Sequence, residues 1–114
     1  MKKYLCMQRS APRAPDAPKQ PPSPAQMQEM YAAFNAWKEK FKANIVDMGG
    51  KLMPGGKVIN AAGVTDGPFV EAKEIAGGYM IVVAESMEQA LQVARESPGM
   101  GPNSSIEVRE IAGP

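Results

Sequence analysis

The sequence predicts an α+β domain of ferredoxin-like layout, an antiparallel sheet with two helices on one face. Three observations lead there. The apolar run of residues 79–84 is unbroken, as in a central strand. Two S-x-x-Q boxes, at Ser23 to Gln26 and Ser86 to Gln89, each open a helical pattern. Between and around them lie short β-prone segments, giving the order strand, helix, hairpin strands, strand, helix, strand.

The chain has 114 residues, the size of one domain, and we read residues 1–114 as a single unit. KYLCMQ (3–8) suits a buried first strand. Residues 10–24 then hold six of the eleven prolines, which favours extended conformations and breaks helices and sheets. This loop is either an irregular connection or a flap over a pocket. Pro24 fits the first helical position, and Met27, Met30, Phe34, Trp37, Phe41, Ile45 and Met48 recur at spacings of three and four. The pattern predicts a seven-turn helix with a core-facing stripe, stopped by Gly49 and Gly50.

KLM (51–53), KVIN (57–60) and the pair Val64-Thr65 read as short strands separated by Pro54-Gly55-Gly56 and Ala61-Ala62-Gly63. GYMIVVAE (78–85) is the central strand, expected dry on both faces. In the second helix Met87, Ala90, Leu91 and Ala94 make a narrow apolar face, and Ser97-Pro98-Gly99 ends it. SIEVREI (105–111) alternates as a half-exposed last strand. A ferredoxin-like sheet covered by helices on one side needs cover on the other, so we expect a homodimer with sheets face to face.

Composition narrows the chemistry. There is no histidine and a single cysteine, Cys6, which removes histidine bases, catalytic triads and the usual zinc ligands. No metal site or cofactor is called for by any spacing. A net charge of +1 with scattered lysines argues against direct binding of nucleic acid or an anionic membrane. A short N-terminal apolar run and the lack of any long one are expected of a cytoplasmic protein.

VTDGPFVEAKEIAGGY (64–79) is the one segment that concentrates reactive groups. Pro68 fixes its own torsion and holds Gly67 extended, and Asp66 is suited to accept N–H bonds from the turn. Alternatively Asp66 faces a cavity as base or anchor, which needs a pKa raised by burial. Glu71, Lys73 and Glu74 are either solvated charges or a ligand-binding set, with Lys73 for an anion. Tyr79 and Arg109 are further candidates for lining a pocket, and Tyr4 and Trp37 read first as packing residues.

The window V-T-D-G-P-F-x-E-x-K-E with G-G-Y-M-I-V resembles the YCII-related family in its DGPF branch, and the flanking layout agrees over nearly the whole chain. The resemblance implies a dimeric α+β barrel. A histidine–aspartate pair proposed for the wider family has no histidine here, leaving Asp66 as the catalytic candidate. The resemblance implies a small-molecule binder or enzyme with a pocket near Asp66. It alternatively implies an accessory protein acting with an extracytoplasmic-function sigma factor.

Overall fold

A computed structural model describes residues 1–10, 23–53, 55–66, 75–98, 100 and 104–113. The elements are β1 (Lys2–Ser10), α1 (Pro24–Lys40), β2 (Ile45–Lys51), β3 (Lys57–Asn60), β4 (Gly63–Asp66), β5 (Ile75–Ala84), α2 (Met87–Arg95) and β6 (Ser104–Ile111). Strands β2, β5, β1 and β6 form one antiparallel sheet in that order, while β3 and β4 pair only with each other. Each helix therefore joins two strands that have one strand between them, the split βαβ arrangement of the ferredoxin-like layout.

Register sorts the side chains into rows across the helix-covered face. At one end Lys51, Gly78, Gln8 and Ile106 lie abreast, and the next row holds Met80, Cys6 and Val108. A third row, Ile45, Val82, Tyr4 and Glu110, closes the opposite end. Because strand side chains alternate, all three rows point the same way. Tyr4, Cys6, Met80, Val82 and Ala84 are buried there with Trp37 from α1 and Ala90, Val93 and Ala94 from α2. The indole of Trp37 donates to the Val93 carbonyl at 2.9 Å, which ties the two helices together.

Both capping residues act as their sequence implies. Ser23 and Gln26 form a reciprocal capping box, and Pro24 opens α1. Ser86 Oγ accepts from Gln89 N, but the Gln89 side chain reaches the Glu85 amide instead of completing the box.

The first helix is shorter than its periodicity predicts. It ends at Lys40, a turn follows, and Ile45 and Met48 belong to β2 rather than to a seventh helical turn. Apolar spacing did not distinguish the two, and pairing decided it. Asn44 takes an amide bond from Val83 N at 2.7 Å and returns one from its side chain to Val83 O at 2.9 Å. This fixes the chain beside β5 before a further helical turn can form. The stripe on α1 is also mostly uncovered: Trp37 is buried, whereas Met27, Met30 and Phe34 are exposed. On α2 the buried residues are Ala90, Val93 and Ala94, with Met87 and Leu91 exposed.

Strand β5 is central as expected, yet only its helix side is dry; Ile81 and Val83 on the other side stay half-buried in the single chain. Leu52 and Met53 fall outside any strand, and the loop of residues 11–22 lies outside the described residues. No helix among the described residues is long and apolar enough to cross a membrane.

Candidate functional site

A cleft of about 620 Å³ opens between the sheet and the helices at the row of Lys51, Gly78, Gln8 and Ile106. Phe34 and Trp37 line it from α1, Cys6 and Met80 from the sheet, Met48 from β2, and Ser97 and Pro98 from the end of α2. The rings of Phe34 and Trp37 stand 5.8 Å apart and tilted by 48°. With its N–H engaged by Val93, Trp37 presents the cleft with an apolar face.

Two diglycines border the cleft. Gly49-Gly50 in β2 and Gly77-Gly78 in β5 all border the cleft and contribute no side chain to fill it. Gly49 is also demanded by the backbone. Its φ is +64°, and a Cβ would stand 1.8 Å from the Tyr79 carbonyl oxygen. The irregular register of β2 between Asp47 and Gly50 makes that contact, and Asp47 Oδ1 accepts the Gly49 N–H at 2.8 Å. At Gly78 a Cβ would lie 3.3 Å from Gly50 O and 3.6 Å from Gln8 Oε1, on the floor of the cleft.

Cys6 lines the cleft from the sheet and is buried. Burial without a compensating charge pushes its thiol up to about 11, so the thiolate is scarce near neutrality. Among the described residues no group of histidine, cysteine and carboxylate side chains is arranged to hold a metal ion.

The residues singled out from sequence are dispersed. Asp66 ends β4, its carboxylate is 86 % exposed and paired with Lys57, and it does not line the cleft. Glu71, Lys73 and Glu74 lie outside the described residues. Tyr79 borders the cleft, although its register with Met7 directs the ring to the other side of the sheet. Arg109 is exposed on β6 in register with Leu5, also on that other side. Gln8, Lys51 and Ser97 were not recognised as cleft residues from the sequence. The available signal was Gly-Gly at 49–50 and 77–78: glycine pairs within strands mark places where something else approaches the backbone.

Fold and cleft together define a ferredoxin-like α+β protein with a hollow between helices and sheet. A model of the YCII-related domain matches residues 3–112, and the chain belongs to that family. No curated protein matches it in sequence. Among solved structures, a similar chain is the 5-chloro-2-hydroxyhydroquinone dehydrochlorinase of Burkholderia phenoliruptrix AC1100, in complex with 2,5-dihydroxybenzoquinone. It is 22% identical, with 92% of this chain and 90% of that one covered and a TM-score of 0.40.

Proposed function

We propose that this protein binds a small, largely apolar molecule in the cleft between α1, α2 and the sheet. The observation that supports it is the lining: aromatic, thioether and aliphatic groups with a few polar ones at one side, the usual make-up of a ligand pocket. Asp66 remains the candidate for acid–base chemistry on the strength of the DGPF motif, with Glu71, Lys73, Glu74, Tyr79 and Arg109 as candidate ligand contacts. The alternative of an accessory protein for a sigma factor gains no support from the family match or from the geometry.

A thermal-shift screen of metabolites against wild type, Ser97→Phe and Asp66→Ala tests this reading. A ligand at 100 times its Kd adds about 2.7 kcal/mol, or roughly 10 °C for a domain of this size. Loss of the shift in Ser97→Phe, whose ring would crowd the rim, supports the cleft. Equal shifts in wild type and Ser97→Phe place the ligand elsewhere. Loss in Asp66→Ala brings the motif aspartate to the ligand, and retention removes it from the site.

A second copy of the chain is the proposed cover for the outer sheet face, forming a dimeric α+β barrel. Leu5, Met7, Ile81 and Val83 are half-buried there and Ile111 is exposed, an apolar surface that favours a partner. Light scattering at micromolar concentration is expected to give a dimer, and a monomer contradicts the proposal.

A further inference from the structure

One row of the outer sheet face carries opposite charges at its two ends. Pairing sets Arg109 of β6, Leu5 of β1, Ile81 of β5 and Asp47 of β2 abreast. Directly paired residues share a face, and Leu5 and Ile81 put this row on the side away from the helices. It runs from cation through two aliphatic groups to anion over three strand spacings, about 14 Å. Arg109 and Asp47 are exposed, and neither has an ion-pair partner among the described residues. Asp47 Oδ1 accepts the Gly49 N–H, which is a neutral bond and leaves the charge uncompensated. In the next row, Glu107, Met7, Tyr79 and Gly50, the charge on Glu107 is met by Arg9 at 3.4 Å.

Resting on the reading of a second copy over this face, we infer that Arg109 of each protomer pairs with the partner's Asp47, and that these two pairs fix how the sheets meet. Two identical sheets stacked face to face are related by a two-fold axis lying between them. An axis along the strands, midway between β1 and β5, exchanges the two edges. Arg109 then stands over the partner's Asp47 at both ends, with Leu5 over the partner's Ile81 in the middle. An axis along the row instead stacks Arg109 on the partner's Arg109 and Asp47 on the partner's Asp47. Like charges so placed disfavour that packing, and opposite charges favour the first. Stacked sheets lie about 10 Å apart, a gap that an arginine and an aspartate reaching from opposite faces can span. The same axis brings β6 of one protomer beside β2 of the other, the edge-to-edge closure that a barrel needs.

Sedimentation equilibrium of wild type, Arg109→Asp, Asp47→Arg and the double variant tests the pairing. Each single change makes both contacts repulsive and should weaken the dimer at least about tenfold, while the double variant should return to within about threefold of wild type. Losing the bond to Gly49 also weakens Asp47→Arg, but Arg109→Asp cannot repair that loss. If Asp47→Arg does not fold, Asp47→Asn and Arg109→Gln replace the reversals in a double-mutant cycle, where a true pair gives losses that do not add. A dimer untouched by the single changes, a double variant no tighter than the singles, or additive losses overturns the pairing and leaves the face-to-face dimer standing. A monomeric wild type removes both.

Discussion

The two ends of the layer between helices and sheet are built from the same strands and end up opposite in character. At the closed end Tyr4 and Val82 lie side by side in the sheet and are sealed by Val93 and Ala90 of α2. At the open end the corresponding row offers Gln8, a glycine and Lys51, and it borders the cleft. A few positions along β1 and β5 thus divide folding from recognition. Large side chains at one end supply apolar burial, and their omission at the other end leaves room for a ligand.

Trp37 sits where the ends meet and should be the most sensitive position. Truncation to Ala removes a buried indole and its bond to Val93, and about 3–5 kcal/mol of stability should be lost in urea unfolding. A loss near zero would mean that α1 is not anchored through this residue.

The direct comparison of ends comes next. Val82→Ala, at a fully buried site, should cost about 2 kcal/mol, whereas Ile106→Ala beside the existing cleft should cost about 1 kcal/mol or less. Equal losses in parallel urea titrations would erase the distinction.

Cys6 tests burial at the floor. The native thiol should resist alkylation at pH 8 and react rapidly once the chain is unfolded. Its pKa is higher folded, about 11, than the ordinary 9.0, so the unfolded chain releases the proton first. The stability associated with the neutral thiol is intact below pH 9 and should decline as pH rises from 9 to 11. A stability curve flat across that window would show that Cys6 is solvated.

The smallest effect belongs to the β3–β4 hairpin. Lys57→Ala should change stability by less than about 1 kcal/mol, because its pair with Asp66 is exposed on a unit separate from the main sheet. A larger loss would show the hairpin bound into the body.

How legible these regions were follows from the same contrast. The fold class, the caps at Ser23 and Ser86 and the final strand could be read from alternation and capping chemistry, which are local. Ile45 and Met48 were misassigned to α1 because three- and four-residue spacing persists by chance into β2, and only pairing with β5 reveals the strand. The cleft was less legible still. Its defining positions are glycine pairs, which read equally well as a helix stop or a turn, and Lys51 and Gln8 lie 43 residues apart in sequence on strands with β5 between them. Asp66, conspicuous in its motif, lies instead on the exposed hairpin.

Trp37 is the chain's sole tryptophan, so its indole N–H gives a single resolved NMR cross-peak at the wall of the cleft. Titration with a compound that stabilises wild type in the thermal-shift screen should move that peak saturably in wild type and leave it unmoved in Ser97→Phe. An unmoved wild-type peak, while calorimetry shows the same compound bound, would place the ligand outside the cleft and contradict the account.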